Sequence, residues 1–518
     1  MTSAAALGVP EQFNAATHFV DRHLKEGRGA KVAIECLDER VTFAELSERV
    51  NRVGSALRSR FGVEPGDRVA LLILDGPAFA YSFFGAIKIG AVPIPTNTLW
   101  KADDYRYLLN DSGARVLIVS AELLPELERI PRNDLPALRH VIVIGGPATE
   151  RWSAFDRLLE EGSAELTAAP TARDAPAFWL YSSGSTGSPK GCVHLQHDMV
   201  ICAELFGKGI LGITAADRVF SVAKLFFAYG LGNALYFPLA VGATSILWPG
   251  PPQPAHIYRT IEQHRPTLFF SVPTGYGMLL AQEGSFDLSS IRLAVSAGEA
   301  LPPALYERFK QRFGIDIIDG IGSTEALHMF ISNRVGAIRP GSSGQIVSGY
   351  EARILDDQRK DVPAGEIGNL WIKGDSTCQC YWNQPEKTRT TIEDGWLRTG
   401  DKYTRDEDGF FWYAGRSDDM LKVGGLWVSP VEVENALIEH PSVQECGVVG
   451  REDRDALTKP AAYVVLRAGV AGTPELVVEL QQFVRTKLAE YKRPRWVEFV
   501  SELPKTATGK IQRFKLRT

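Results

Sequence analysis

The sequence lacks the features that mark membrane proteins and secreted disulfide-rich proteins. It contains no run of about 18 apolar residues, so no membrane span is predicted. Its six cysteines form no C-x-x-C pair, and all six are predicted to be free thiols in a cytoplasmic protein. The N-terminus has no basic start followed by an apolar core, so no signal peptide is predicted either.

Two pairs of potential metal ligands occur, and neither has the pattern of a zinc site. Cys378 and Cys380 alternate as they would in a strand. His194 and His197 are three residues apart, and we expect both side chains at the surface.

A strong charge of either sign is also absent. The 62 acidic residues and the 57 lysines and arginines leave a formal net charge of −5, which argues against a nucleic-acid or anionic-membrane partner. The 45% hydrophobic and 23% charged residues are ordinary for a soluble globular protein. A chain of 518 residues is too long for one core, so at least two domains are expected.

The N-terminal part of the sequence shows an alternation of helical and strand patterns. Thr42 and Glu45 form a capping box before residues that repeat at helical spacing. Short apolar runs at 69–74, 115–119 and 140–144 are typical of strands buried in a parallel sheet. This alternation predicts an α/β fold.

The composition changes near residue 415, and a compact unit follows. We predict a domain boundary between 1–417 and 418–518. The smaller unit should contain a helix near 430–440, two strands and a last helix. Thr473 should cap that last helix, with Pro474 at its first position.

The most informative segment is Y-S-S-G-S-T-G-S-P-K-G at 181–191, after an apolar run that reads as a strand end. Glycines let backbone N–H groups approach an anion, hydroxyls add donors, and Lys190 supplies a charge for phosphate. The segment does not match the Walker pattern, because Pro189 precedes the lysine and Gly191 follows it.

Four other short polar segments also suit parts of a nucleotide. The segment 320–325 puts a carboxylate beside a hydroxyl, as a phosphate-bound Mg²⁺ requires. The segment 399–401 places an acidic residue on a tight turn for ribose hydroxyls, and 415–418 adds an arginine. The segment 506–510 carries a lysine near the C-terminus.

In this order and spacing, the five segments resemble the acyl- and aryl-CoA ligases of the adenylate-forming superfamily. The resemblance covers nearly the whole chain, and the stretches 224–235, 296–300 and 421–430 resemble the benzoate–CoA ligase branch most closely. It implies a large N-terminal domain of layered sheets and helices and a small, mobile α+β C-terminal domain.

The resemblance also implies a reaction that uses ATP, Mg²⁺ and coenzyme A. A small aromatic acid and ATP would give an aryl-adenylate and pyrophosphate, and the CoA thiolate would then displace AMP. AMP leaves far more readily than oxide, so activation splits one hard step into two easier ones. Mg²⁺ and a lysine can neutralise the charge that builds on the α-phosphate.

Residue roles follow from the motif match. Lys510, Thr186 and Glu325 are expected to be catalytic, with Glu325 as the metal ligand. Lys510 should bridge the substrate carboxylate and the α-phosphate. The nucleotide- and CoA-binding residues are expected to be Ser182, Ser183, Gly184, Ser185, Thr186, Gly187, Lys190, Gly298, Glu299, Ala300, Asp319, Gly320, Ile321, Gly322, Ser323, Thr324, Asp401, Arg416, Gly425 and Lys510.

Within that set, Asp319 should meet the adenine amine and Asp401 the ribose hydroxyls. Ile321 stands where the superfamily often has an aromatic residue, so aliphatic packing should replace stacking on adenine. Asp418 matches the hinge about which the small domain is expected to rotate between the half-reactions. That rotation would remove Lys510 from the site and bring Gly425 to the pantetheine tunnel.

The acyl pocket is expected from the same match. Its residues should be Phe227, Ala228, Tyr229, Gly298, Gly322, His328 and Met329. Small residues beside aromatic ones suit a flat ring. His328 could hydrogen-bond a ring substituent or simply pack, and both alternatives stay open. The benzoate ligases carry other residues at the positions of Ala326 and Met329, so a substituted ring could be admitted.

Several alternatives therefore remain. The acid could be anthranilate or a hydroxybenzoate instead of benzoate. The acceptor could be an acyl carrier protein instead of CoA. A catalytically inactive nucleotide-binding homologue is disfavoured because Lys510, Glu325 and Asp401 are all present. We expect a monomer or a homodimer.

Overall fold

The structure is a computed structural model that describes residues 1–182, 189–417, 419–423, 426–454, 457–505 and 511–517. Several predicted site residues lie outside the described residues: Ser183, Gly184, Ser185, Thr186, Gly187, Asp418, Gly425 and Lys510. The roles predicted for them stay predictions, as does the domain boundary at 417/418.

The helices of the described residues begin and end as follows. They are α1 (Arg22–Lys25), α2 (Phe43–Ser59), α3 (Pro77–Lys88), α4 (Ala102–Ser112), α5 (Leu124–Glu128), α6 (Phe155–Glu161), α7 (Asp198–Cys202), α8 (Ala228–Leu231), α9 (Phe237–Val241), α10 (Pro254–His264), α11 (Pro273–Ala281), α12 (Pro303–Phe313), α13 (Pro385–Thr391), α14 (Pro430–Ile438) and α15 (Pro474–Lys487). None of these helices is long and apolar enough to cross a lipid bilayer.

The strands are short, as is usual in layered α/β folds. They are β1 (Val32–Cys36), β2 (Glu39–Thr42), β3 (Arg68–Leu72), β4 (Val92–Pro95), β5 (Val116–Ser120), β6 (His140–Ile144), β7 (Ser153–Ala154), β8 (Pro176–Ser182), β9 (Lys190–Leu195), β10 (Arg218–Ser221), β11 (Thr244–Leu247), β12 (Leu268–Ser271), β13 (Leu293–Ser296), β14 (Ile317–Gly322), β15 (Met329–Ser332), β16 (Gln345–Ile346), β17 (Glu351–Leu355), β18 (Gly368–Lys373), β19 (Cys380–Tyr381), β20 (Ile392–Glu393), β21 (Trp396–Arg405), β22 (Phe411–Arg416), β23 (Leu421–Val423), β24 (Leu426–Val428), β25 (Val443–Glu452), β26 (Thr458–Leu466) and β27 (Trp496–Phe499).

Two largely parallel sheets form the layers of the large N-terminal part. One runs in the order β16-β15-β14-β13-β12-β10-β11-β1-β2, and its strands from β14 to β1 are parallel. The other, β4-β3-β5-β6-β7, is parallel throughout. The three apolar runs that predicted buried strands became β3, β5 and β6, whose interior residues are buried on both faces.

Helix α2 begins where the sequence predicted it. The Thr42 hydroxyl accepts from the Glu45 N–H at 3.2 Å, and the Glu45 carboxylate accepts from the Thr42 N–H at 2.8 Å. This reciprocal capping box satisfies two backbone donors that the first turn leaves unpaired.

Two antiparallel sheets complete the large part. The sheet β19-β9-β8 flanks the predicted phosphate loop, because Ser182 at the end of β8 pairs with Lys190 at the start of β9. The sheet β17-β18-β21-β20 also carries β22 on β21. Of the two cysteines predicted to lie in one strand, only Cys380 does; Cys378 precedes β19 and is buried.

The C-terminal unit has its own small core. Strands β25, β26 and β27 form a mixed sheet on which α14 and α15 pack. Thr473 caps α15 by accepting from the Leu476 N–H at 3.3 Å, and Pro474 takes the first helical position, as predicted. This unit is an α+β arrangement beside the α/β part.

Candidate functional site

Several predicted site residues lie at the carboxyl ends of β13 and β14. Neighbouring parallel strands end at one edge of a sheet, and ligands of open α/β sheets bind there. Gly298, Glu299 and Ala300 follow β13, while Asp319 to Gly322 form the end of β14. Gly298 has φ +90°, a conformation that favours glycine.

A tight turn joins β14 to β15 and carries both the predicted metal ligand, Glu325, and one predicted acyl-pocket residue, His328. The Ser323 hydroxyl accepts from the Ala326 N–H at 3.2 Å, and Leu327 takes φ +66°. A β-carbon on Gly322 would overlap the His328 backbone, so only glycine fits there. The turn therefore places Glu325 and His328 at opposite ends of one short segment.

Glu325 is held by the strand β19 region. Its carboxylate Oε1 accepts from the Tyr381 hydroxyl at 2.7 Å, and its backbone carbonyl accepts from the Cys378 N–H at 2.7 Å. Lys190 lies nearby, with its Nζ 5.4 Å from the centre of the Tyr381 ring. Burial, with help from the charge of Lys387, lowers the pKa of Lys190.

The prediction that His194 and His197 are surface side chains was wrong. Both are buried, at 0% and 4% exposure. His194 Nδ1 lies 2.8 Å from Asp198 Oδ2 and its Nε2 lies 2.8 Å from the Thr324 carbonyl oxygen. Polar partners on both ring nitrogens offset the cost of burying His194. The spacing of the residues in the sequence did not reveal these partners.

His197 is held in the same way, between two backbone carbonyls. Its Nδ1 lies 2.9 Å from the Arg173 oxygen and its Nε2 lies 3.0 Å from the Asp375 oxygen. Burial opposes the charged ring, but the Asp198 carboxylate and these carbonyls raise the pKa of His197. Within the described residues, no group of three or more histidine, cysteine or acidic side chains could hold a metal ion.

The ribose-binding prediction for Asp401 gains a defined geometry. Arg416 Nη1 donates to Asp401 Oδ1 at 3.0 Å and to the Thr399 carbonyl at 3.1 Å. The prediction of a tight turn at 399–401 was wrong. This segment lies inside β21, at a point where the register of its pairing with β18 shifts. Gly400, with φ +78°, makes the bulge and turns the Asp401 side chain toward the arginine.

Asp319, predicted at the adenine amine, is a buried carboxyl group at 5% exposure. Its Oδ2 accepts from the Leu301 N–H at 3.3 Å, while Oδ1 has no hydrogen-bond partner among the described residues. Burial raises the pKa of Asp319 to about 8. The side chain can thus accept a hydrogen bond from an amine without carrying a full charge at neutral pH.

The acyl end of the turn is aromatic and uncharged. The His328 ring packs against Phe237, Phe206 and Tyr229, with centroid distances of 4.5, 5.0 and 5.6 Å. Burial lowers the pKa of His328 to about 3, so the ring is neutral. The Tyr229 hydroxyl donates toward the Ser271 and Val295 carbonyls at 3.3 and 3.2 Å.

Three other predicted pocket residues lie at the start of α8 and of β15. Phe227 is half-buried against Phe226, and Ala228 begins α8. Met329 is buried, and its methyl group lies where a β-carbon on Gly320 would stand.

Two residues that hold the acyl end were missed from the sequence. Asn233 is fully buried in a widened π-helical turn, Gly232–Tyr236, and its Oδ1 lies 3.0 Å from His328 Nε2. Asp75 is buried after β3 and accepts from the Leu225 N–H at 3.1 Å, which supports the segment leading to Phe227. In both cases, the feature of the sequence that could have identified the residue was a single polar residue in an apolar run.

The chain is similar to known proteins over nearly its whole length. Residues 20–382 match the AMP-binding enzyme family and residues 432–510 match the AMP-binding enzyme C-terminal domain. The benzoate–CoA ligase of Thauera aromatica is 50% identical over 99% of this chain and 97% of its own length.

Two solved structures are similar over the whole chain. The anthranilate CoA ligase AuaEII, in complex with anthranoyl-AMP, has a TM-score of 0.96 and 48% identity, and covers 99% of this chain and 98% of its own. A benzoate CoA ligase from Burkholderia xenovorans LB400 has a TM-score of 0.90 and 45% identity, and covers 98% of this chain and 100% of its own. The predicted fold class and the predicted resemblance to aryl-CoA ligases are thus confirmed, and the chain belongs to the AMP-binding, adenylate-forming enzyme family.

Proposed function

We propose that this protein is an aryl-CoA ligase that activates benzoate or a ring-substituted benzoate with ATP and transfers the aryl group to CoA. The observation that carries this proposal is the β14–β15 turn, which puts Glu325 at its phosphate-facing end and His328 among aromatic rings at the other end. The benzoate–CoA ligase of Thauera aromatica, 50% identical, supports the same activity.

Each end of the site suits one part of the first half-reaction. Arg416 holds Asp401 so that its carboxylate can accept from ribose hydroxyls. Asp319 offers a buried acceptor to the adenine amine. Lys190, at the start of β9, supplies positive charge to the phosphates beside the loop. Together these groups orient the α-phosphate toward the substrate carboxylate.

Mg²⁺ fits the donor set around Glu325. One carboxylate oxygen, Oε1, accepts a hydrogen bond from the Tyr381 hydroxyl. Mg²⁺ usually takes one or two protein carboxylates and completes its shell with phosphate oxygens and water. When bound, it would neutralise charge on the phosphates as the adenylate forms. Glu325 is its proposed ligand, and the Thr324 hydroxyl is proposed to meet the α-phosphate.

A second candidate is an acid whose ring carries an amino or hydroxyl group. His328 Nε2 faces the Asn233 oxygen, so Nε2 carries the proton and Nδ1 is an acceptor. Neither His328 Nδ1 nor Asn233 Nδ2 has a hydrogen-bond partner among the described residues, and both are buried. A polar substituent would satisfy such atoms, which benzoate cannot do. The 48% identity to an anthranilate CoA ligase supports this candidate.

The roles proposed for residues in the second half-reaction rest on the match to the family's motifs. Lys510 would leave the site as the small domain turns about Asp418, and Gly425 would then line the path of the CoA thiol. One cleft cannot hold the geometries of both half-reactions equally well, which favours two arrangements of the same domains.

The direct test is pyrophosphate release by the purified protein with ATP and a panel of acids. The panel would hold benzoate, 2-aminobenzoate, the three hydroxybenzoates and a medium-chain fatty acid. We expect release with the aromatic acids and aryl-CoA formation when CoA is added. Pyrophosphate release without aryl-CoA, followed by loading of an acyl carrier protein, would instead make the carrier the acceptor. No release with any aromatic acid would overturn the proposal.

A further inference from the structure

One buried side chain contacts both charged groups proposed to meet the metal-bound phosphates. Tyr381 lies in the two-residue strand β19 at 4% exposure. Its hydroxyl donates to Glu325 Oε1 at 2.7 Å, and its ring faces the Lys190 ammonium at 5.4 Å. Glu325 and Lys190 come from different parts of the large domain, the β14–β15 turn and the start of β9.

The backbone fixes Tyr381 at this point. It pairs across from Cys192 on β9, two residues after Lys190, and its N–H donates to the Thr388 hydroxyl at 3.0 Å. The Cys378 N–H binds the Glu325 carbonyl at 2.7 Å, so the same segment holds both the backbone and the side chain of Glu325. A side chain held this firmly can set the direction of a carboxylate.

We propose that Tyr381 is a positioning residue that orients the Glu325 carboxylate and the Lys190 ammonium for a metal-bound triphosphate. This inference rests on the proposed function. The phenol occupies one carboxylate oxygen and leaves the other to the cation, which is how outer hydrogen bonds orient metal ligands. The ring face attracts the ammonium and limits where it can lie.

The first test is Tyr381→Phe, which removes the hydroxyl and keeps the ring. Mn²⁺ would serve as the probe, with its binding to the protein–ATP complex followed by electron paramagnetic resonance. We expect Mn²⁺ affinity in the presence of ATP to fall about 10-fold, as loss of an outer hydrogen bond to a metal ligand does. ATP binding without metal, measured by calorimetry, and the KM for the acid should stay at parent values.

A matched control variant is available in the same region. Tyr350 is also a buried tyrosine, and its hydroxyl lies 2.7 Å from the Ser376 hydroxyl. Tyr350→Phe removes one buried hydroxyl of the same kind without a contact to Glu325 or Lys190. We expect it to bind Mn²⁺ like the parent. Equal weakening in Tyr350→Phe, or parent-like Mn²⁺ affinity in Tyr381→Phe, would overturn the proposal.

The ring is tested separately by Tyr381→Leu. Loss of the ring should weaken metal-free ATP binding as well, by about threefold, because Lys190 loses a cation–π contact. Metal-free binding at the parent level would contradict the part of the proposal that concerns Lys190. The Phe variant stands on its own if the Leu variant does not fold. The Tyr381→Phe variant could bind Mn²⁺ more weakly even if the parent protein activates no acid. That result would refute the proposed function and leave this inference intact.

Discussion

The two ends of the β14–β15 turn are held in place by opposite physical means. Around Glu325, half-buried charged groups are held by charge-assisted hydrogen bonds, as in the Tyr381–Glu325 contact. Around His328, buried aromatic rings pack on a neutral imidazole. Only two residues, Ala326 and Leu327, separate Glu325 from His328 along the chain.

This difference indicates that one end of the site serves the reaction at the phosphates and the other end serves the choice of acid. Charged groups that meet phosphates must keep their charge, so they stay near water and near one another. An aromatic acid is recognised by shape and by few polar atoms, so its end of the site is closed and apolar. Changes at the phosphate end should therefore affect all acids alike, whereas changes at the acyl end should alter which acid is preferred.

The largest expected effect comes from removing the charge of Glu325. Glu325→Gln keeps an oxygen for Tyr381 but weakens the hold on Mg²⁺. We expect adenylation to slow about 100-fold for every acid, the usual scale for losing one preorganised charged group. Pyrophosphate release measures this step, and thioester formation from supplied aryl-adenylate is the control. A change in the ranking of acids would contradict the separation of the two ends.

The next effect should appear at the acyl end. His328→Phe keeps a ring of similar size and removes the buried acceptor. We expect kcat/KM for amino- and hydroxybenzoates to fall roughly 10-fold relative to benzoate, about the value of one hydrogen bond. The KM for ATP should not move, and thermal unfolding checks the fold. An equal loss for benzoate and the substituted acids would mean that His328 only packs.

A stability effect should follow at the adenine position. Asp319 has a folded-state pKa of about 8 against an ordinary value of 3.8, so the native state binds more protons between these values and stability falls as pH rises through them. Asp319→Asn removes this cost. We expect the variant to gain about 4 kcal/mol over the parent between pH 5 and pH 9, measured by urea unfolding. Parallel stability curves for the two proteins would show that Asp319 titrates normally.

The smallest effect is expected at Met329. Met329→Ile replaces a flexible thioether by a branched side chain of similar volume that suits a strand. We expect stability to change by less than about 1.5 kcal/mol. Tolerance of ortho-substituted benzoates should narrow by about threefold, because isoleucine adjusts less easily to a substituent. Unchanged tolerance would place the substituent away from Met329.

Much of the phosphate end could be predicted from the sequence because its residues are close in the chain and chemically unusual. Glycines, hydroxyls and a lysine at 181–191, or Thr324 beside Glu325, indicate a nucleotide without knowledge of the fold. The capping box and the apolar runs predicted α2, β3, β5 and β6 for a similar reason, since local hydrogen bonds and periodic burial depend on short stretches of sequence.

Only the tertiary structure decided which distant side chains support that chemistry. The burial of His194 beneath Thr324, the bulge at Gly400 and the contact from Tyr381 to Glu325 join segments 56 to 130 residues apart or depend on strand register. Such contacts arise from sheet order and packing, and single polar residues in apolar surroundings carry no periodic signal. The sequence by itself thus determined the family and predicted the reacting groups, whereas the packing of β9, β14 and β19 decided how Lys190, Glu325 and Tyr381 are held.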